Sequence, residues 1–252
     1  MTINYSNIVY MTTCCQIVPL EKLLKLTSIT NCFSTVHVLF YYVMWTLLLI
    51  VLSYCIGSIP TSIIAGKIVR GIDIRDHGSR NPGATNTFRV LGKKIGITVG
   101  LIDIFKGYAC VALLTLLIPS DAWVTLEIRR ILAGLAAVIG HVWTVFAGFK
   151  GGKGVGTAFG VFLGLAPAPS LLAAAVWAAL TFGTGYVSVG SITAAAVLPV
   201  SIIVEGLLRN RFSVILSTLS VVIGLLVIVR HRSNIRRLMR GEESRFGKRG
   251  KQ

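Results

Sequence analysis

Apolar residues along this chain run in long blocks separated by short polar stretches. The blocks cover about residues 38–65, 95–118, 131–149, 155–166, 170–183, 190–204 and 212–229. A helix that crosses a bilayer needs about 20 apolar residues, and several blocks approach or reach that length, so they predict membrane-spanning helices. The fourth and fifth blocks are parted by "APAP" at 166–169. Proline has no N–H and disfavours helix in the residue before it, so this break predicts either one kinked helix or a short hairpin.

The charges between the blocks choose between those outcomes. Residues 66–94 hold Lys67, Arg70, Arg75, Arg80, Arg89, Lys93 and Lys94, and the tail from Arg230 to Lys251 is also basic. Basic loops stay in the cytoplasm, which places Lys150 and Lys153 there too, two crossings after the first loop. Reaching a cytoplasmic tail from residue 154 takes an even number of crossings, which the hairpin supplies and a single kinked helix does not. The expectation is an all-α, polytopic membrane protein of about seven transmembrane helices, N-terminus outside and C-terminus cytoplasmic. In that topology 66–94, 149–154, 184–190 and 230–243 share one face.

Composition agrees with this picture. Of 252 residues 54% are hydrophobic and 13% charged, and the mean hydropathy is +0.78, which excludes an ordinary soluble domain. Lys and Arg outnumber acids 25 to 9, for a net charge of +16. In a soluble chain that excess would suggest nucleic acid. Here it sits between spans and in the tail, where anionic lipid headgroups account for it, and no nucleic-acid partner is expected. Cys14, Cys15, Cys32, Cys55 and Cys110 offer neither a disulfide framework nor metal-ligand spacing. Residues 1–36 lack a signal-peptide pattern, and 1–43 read as a poorly structured leader ahead of a membrane domain at 44–252. Met44 is a candidate start, and a native peptide from 1–36 seen by mass spectrometry would refute it.

The polar stretches carry the candidate chemistry. "GSRNPGATNTFR" at 78–89 combines Ser79, Asn81, Thr85, Asn86 and Arg89 with glycines that let backbone N–H groups approach an anion; the bland alternative is a turn-rich loop. "GFKGGKG" at 148–154 resembles a Walker A loop but fails its spacing, since three residues rather than four separate Gly148 from Gly152 and no Ser or Thr follows Lys153. It precedes an apolar helix, whose N-terminus suits an anion, and helix packing through glycine leaves the two lysines unexplained. Asp103 and Lys106, three residues apart, share a helix face as a functional or structural pair. His141 in "GHVW" is a base, an orienting donor or a satisfied core histidine, and Ser58 in "GSIP" a kink hydroxyl or a site group. The arginines of "RHRSNIRRLMRGEE" at 230–243 suit an amphipathic helix at headgroups. Together these groups line one face with cations and donors and few carboxylates, which suggests a substrate bearing phosphate.

"GSIP" (57–60), "GSRNPGATN" (78–86), "DIFKG" (103–107), "GHVWTVFAGFKGGKG" (140–154), "GYVSVGSI" (185–192) and "RHRSNIRRL" (230–238) occur in this order. From about residue 44 to the tail the chain resembles the bacterial membrane glycerol-3-phosphate acyltransferases that use acyl phosphate as donor. The resemblance implies a seven-span fold in the bacterial inner membrane with the active site at the cytoplasmic face. It implies acyl transfer from acyl phosphate to the 1-hydroxyl of sn-glycerol 3-phosphate, giving 1-acylglycerol 3-phosphate and phosphate, the first step of phospholipid synthesis. No coenzyme A, cofactor or metal is implied; the implied partners are the two substrates, membrane lipid and a soluble enzyme that makes acyl phosphate. Carried over by motif, Ser58, Lys106, His141, His231 and Asn234 are the catalytic candidates. Ser79, Asn81, Thr85, Asn86, Lys150, Gly151, Gly152, Lys153, Gly154, Ser188, Ser191 and Glu243 are the substrate-binding ones. Arg80 stands where the family usually has glycine and Thr144 where it usually has proline. The acyl-CoA enzymes of the same step carry His-x₄-Asp, which none of His37, His77, His141 and His231 begins. The competing class is a transporter of organic anions or phosphate esters, against which stand the one-sided placement of the polar groups and the lack of an evident internal repeat.

Overall fold

The structure, a computed structural model, describes residues 40–117, 119 and 124–245. The chain divides into two compact units, Met1–Val43 and Met44–Gln252. Of the first, only 40–43 are described, and they are helical; the rest of the expected leader lies outside the described residues. Every regular element described is a helix. In the second unit α1 covers residues 44–58. It is followed by α2 (Thr61–Arg70), α3 (Ala84–Leu91), α4 (Lys93–Ala112), α5 (Leu126–Val142), α6 (Val155–Leu165), α7 (Pro167–Thr184), α8 (Val187–Leu208), α9 (Val214–Arg230) and α10 (Arg232–Met239).

Each predicted apolar block is helical over most of its described residues. Among the described residues five segments are long and apolar enough to cross a membrane: Phe40–Arg70, Lys93–Leu116, Leu126–Ala147, Pro167–Thr184 and Val187–Leu208. A sixth forms if α9 and α10, bent by 52°, are taken together. The remaining block, α6, has 11 residues, about 16 Å at 1.5 Å per residue, against a hydrocarbon core of about 30 Å. The predicted break after α6 falls at Ala166, which leaves helical geometry (φ −144°, ψ 77°) and hands over to Pro167 at the first position of α7. Proline is at home there because the first turn's N–H groups have no helical partner. The chain is thus an all-helical, polytopic membrane protein.

Most helices expose large apolar side chains on their outer faces, among them Leu101, Phe105, Leu171, Phe182, Leu208 and Leu225. Lipid is as apolar as these side chains, so helix association depends on close backbone packing. A Cβ on Gly160 of α6 would stand 1.9 Å from the Ile104 carbonyl oxygen of α4, and one on Gly140 of α5 would stand 2.3 Å from the Tyr54 carbonyl oxygen of α1. Between these helices lies a core of Leu49, Cys110, Val111, Ala137, Val138, Val161 and Phe162, all fully buried. These contacts bring the ends of α1, α5 and α6 together.

Candidate active site

Helix α1 stops at Ser58, and Ile59 and Pro60 form a two-residue break before α2. Proline at 60 removes one N–H and the break frees carbonyls from helical partners. Those carbonyls are taken by side chains: Thr144 Oγ1 donates to the Ser58 carbonyl and Lys106 Nζ donates to that of Ile59 at 3.1 Å. Ser58 Oγ donates to the Gly140 carbonyl at 3.2 Å. Beneath the break Asp103 Oδ1 accepts from Thr61 Oγ1 at 2.7 Å, pairs with Lys106 at 2.8 Å and lies 3.6 Å from His141 Nδ1. A cleft opens over this group, lined by Ser58, Thr61, Ser62, Pro82, His141, Thr144, Gly151 and Gly152.

The glycine loop closes the other side of the cleft. Gly151 N–H donates to the Val142 carbonyl and Gly152 N–H to that of His141, each at 3.2 Å, so the loop folds back on the end of α5. A Cβ at Gly151 would stand 2.0 Å from the His141 carbonyl oxygen, and one at Gly152 would stand 2.3 Å from His141 Nε2. These two positions are glycine because the backbone lies directly on the histidine. Their carbonyls receive Arg230 Nη2 at 3.3 and 3.2 Å. The expectation of loop N–H groups facing an anion does not hold at Gly151 and Gly152, whose N–H groups are bonded to the end of α5. Gly154 is the residue before α6. Lys150 is exposed, whereas Lys153 is partly buried.

Lys153 leads into a second cluster, built around one carboxylate. Its Nζ donates to Asn234 Oδ1, and Asn234 Nδ2 donates to Glu243 Oε1 at 2.7 Å. Glu243 also accepts from Ser188 Oγ at 3.0 Å and from Arg237 Nε at 2.7 Å. Burial works against the charge of Glu243, but the bonds from Asn234, Arg237 and Ser188 outweigh it and hold the carboxyl below its usual range. Arg89 Nη2 donates to the Ser244 carbonyl at 3.1 Å. Burial, reinforced by the charges of Arg237, Arg89 and Arg230, pulls Lys153 down to about 8, with Glu243 acting the other way. Burial likewise lowers Arg89. Burial and the charge of Lys153 push His231 down to about 4, so its imidazole is neutral at pH 7. With Nδ1 2.7 Å from the Val227 carbonyl, the neutral ring carries its proton there and keeps a lone pair on Nε2.

The remaining predicted residues brace this end. Asn86 is buried and its amide is spent within the first loop, accepting from Ser79 N–H at 2.8 Å and donating to the carbonyls of Ile74 at 3.1 Å and His77 at 3.0 Å. Ser79 is exposed, and Asn81 and Thr85 are partly buried. Arg80, the departure from glycine, sits at φ +59°, a left-handed conformation in which glycine is at ease and arginine is not. Ser191 donates to the Val187 carbonyl at 2.8 Å and accepts from Trp177 Nε1 at 3.2 Å, and no bond ties it to the Glu243 cluster. Arg75 bridges loops instead, pairing with Asp73 at 2.7 Å and donating to the Ala147 carbonyl at 3.0 Å. Thr61 was not among the sequence candidates, nor was Arg230 singled out, because a threonine after proline and one arginine in a basic tail carry no distinguishing signal.

The polar stretches predicted to share a face therefore meet here: Arg230 bonds to Gly151, Lys153 to Asn234 and Ser188 to Glu243, and 66–94 reaches residues flanking the others through Arg75 to Ala147 and Arg89 to Ser244. Among the described residues no group of His, Cys, Asp and Glu is arranged to hold a metal ion. Known proteins match the chain over this same region. The sequence profile of a family described as glycerol-3-phosphate acyltransferase matches residues 47–241. The chain is 44% identical over 228 residues to the glycerol-3-phosphate acyltransferase of Chlorobium phaeobacteroides (strain BS1), covering 80% of this chain and 97% of that protein. It is 43% identical over 222 residues to the same-named protein of Chlorobaculum tepidum, covering 79% and 96%. Among solved structures it is similar to PlsY (YgiH), an integral membrane glycerol 3-phosphate acyltransferase, in its glycerol 3-phosphate form. The TM-score is 0.69 at 39% identity, over 80% of this chain and 96% of that one. The lysophosphatidic acid form of PlsY matches with the same TM-score and identity, over 80% and 95%. A match this long, running from within α1 to the turn after α10, means that the chain belongs to the glycerol-3-phosphate acyltransferase family.

Proposed function

We infer that the chain transfers a fatty acyl group from acyl phosphate to the 1-hydroxyl of sn-glycerol 3-phosphate, releasing 1-acylglycerol 3-phosphate and inorganic phosphate. The observation that carries this reading is the cluster of Arg89, Lys153 and Arg237 around a single carboxylate, Glu243, with Arg230 near Lys153, beside a cleft at the end of a membrane bundle. Donor and acceptor both bear phosphate, and such an excess of partly buried cations is stabilised by a phosphate dianion. Membership of the family and the likeness to PlsY in its glycerol 3-phosphate and lysophosphatidic acid forms support the acceptor and the product.

Chemically, the hydroxyl oxygen forms a bond to the acyl carbon while the bond from that carbon to the phosphate oxygen breaks. Phosphate departs with the electron pair, and the hydroxyl proton passes to His141, to the neutral His231 or to a phosphate oxygen of a substrate. Acyl phosphate is already activated, so positioning and charge stabilisation suffice without an acyl-enzyme. Side chains rather than the Gly151 and Gly152 amides neutralise the phosphates, with Lys153 at the centre. The basic loops support a seven-span topology, N-terminus outside, with the site at the cytoplasmic face of the bacterial plasma membrane. There a soluble enzyme supplies acyl phosphate and the acyl chain stays in lipid.

Purified protein incubated with acyl phosphate and glycerol 3-phosphate tests this. Phosphate release that needs both substrates and yields 1-acylglycerol 3-phosphate is the expected result. Uptake of glycerol 3-phosphate into liposomes without turnover would establish the transporter reading in its place, and a trapped acyl-serine would refute direct transfer.

A further inference from the structure

We propose that Asp103 and Lys106 are positioning residues that hold the α1–α2 break as one wall of the cleft, an inference that rests on the acyl-transfer reading for its catalytic consequence. Both side chains are about 5% exposed and 2.8 Å apart. A buried ion pair needs further hydrogen bonds to offset its desolvation, and both groups of this pair find theirs on one segment. Lys106 Nζ donates to the Ile59 carbonyl at 3.1 Å, and Asp103 Oδ1 accepts from Thr61 Oγ1 at 2.7 Å. Ile59 and Thr61 are the two neighbours of Pro60, and both line the cleft. The pair therefore grips the non-helical segment from both sides of its proline.

Asp103 Oδ1 also lies 3.6 Å from His141 Nδ1, while the opposite nitrogen of that ring lies under Gly152, where a Cβ would approach to 2.3 Å. The carboxylate thus faces the segment before α2 and the imidazole under the glycine loop at once. A Cβ on Gly156, on α6, would stand 3.3 Å from Asp103 Cβ, which closes the remaining side. Four helices meet on this pair: α2 through Thr61, α4 that bears it, α5 through His141 and α6 through Gly156. Neither side chain takes part in the Glu243 cluster, so the pair sets the geometry of the cleft and leaves the cationic group unchanged. Displacements of about 1 Å at a reacting centre cost on the order of 100-fold in rate.

The test uses the purified full chain in Lys106→Met, Asp103→Asn and the neutral double variant. A buried pair replaced by neutral groups of similar size regains stability where a single loss does not, so the double variant guards against failure to fold. For the folded double variant the expected result is a kcat lower by about 10- to 100-fold, a KM for glycerol 3-phosphate within about threefold, and faster amide hydrogen exchange across residues 58–64. Recovery of kcat together with stability in the double variant would mark the pair as structural only and overturn the proposal, as would unchanged exchange at 58–64. If the wild-type protein transfers no acyl group, the acyl-transfer reading falls, and the exchange measurement still decides whether the pair holds the break.

Discussion

Replacing Lys153 by methionine separates the demands of binding from those of folding. The lysine ammonium is held in a partly buried site with three arginines, and burial, reinforced by their charges, brings it from an ordinary 10.5 to about 8. At about 1.36 kcal/mol per pH unit, this gap is on the order of 3 kcal/mol against the charged form in the empty site. The unfolded chain keeps this proton up to about 10.5 and the folded chain only to about 8. The cost is therefore fully present below pH 8 and disappears as the pH rises from 8 towards 10.5, where the unfolded state binds more protons and stability increases with pH. Lys153→Met keeps the aliphatic stem, removes the charge and loses the bond to Asn234, worth about 1–2 kcal/mol. The net expectation is a ligand-free protein more stable than wild type by about 1–2 kcal/mol at pH 7 and less stable by about 1–2 kcal/mol near pH 10.5, where the charge cost is gone and the lost bond remains. A phosphate dianion compensates the cation, so glycerol 3-phosphate raises the melting temperature of the wild type at pH 7 by mass action and leaves that of the variant unchanged. Thermal unfolding in detergent at the two pH values, with and without glycerol 3-phosphate, reads all of these quantities. A variant that melts lower than wild type at pH 7 refutes the electrostatic reasoning; one that keeps the ligand-induced shift and full turnover refutes the phosphate role.

The other predictions follow from the same contacts. Gly152→Ala sets a methyl on the His141 ring and is expected to lower turnover by roughly 100-fold. Gly148→Ala, with nothing within 4 Å and φ +65°, pays only about 1 kcal/mol of backbone strain and keeps activity within a few fold; equal losses in the two variants, assayed side by side, contradict the close-approach argument. Arg80→Gly relieves a left-handed arginine and raises stability by up to about 1 kcal/mol, measurable as a higher melting temperature, whereas a lower one shows that the arginine side chain anchors the loop. Glu243→Gln removes a carboxyl held below its usual 4.5. Its stabilising contribution in the wild type is full above about pH 4.5 and lost as the pH falls through the lower folded value, so the variant's melting temperature changes less with acid than the wild type's, and parallel curves refute this.

Secondary structure was legible in the chain itself. Apolar blocks become helices because lipid offers backbone groups no hydrogen bonds, so each block must satisfy its own. Ala166 leaves the helix where "APAP" predicts it, and the polar stretches meet at one end of the bundle. Lys153, Asn234, Ser188 and Glu243 were named from motifs, and they are bonded together. What no local pattern could supply is which groups meet and what each is left to do. Thr61 reaches Asp103 across 42 positions and Ser188 reaches Glu243 across 55, through the rotation and depth of separate helices. The two loop amides of Gly151 and Gly152 read in sequence as anion donors, yet only the folded chain reveals that the end of α5 takes them. The physical reason is that hydropathy and charge are properties of segments, felt by solvent and lipid along each helix. A hydrogen bond needs two groups within about 3 Å, and at that range the outcome is set by how closely glycines such as Gly140 and Gly160 let the backbones approach.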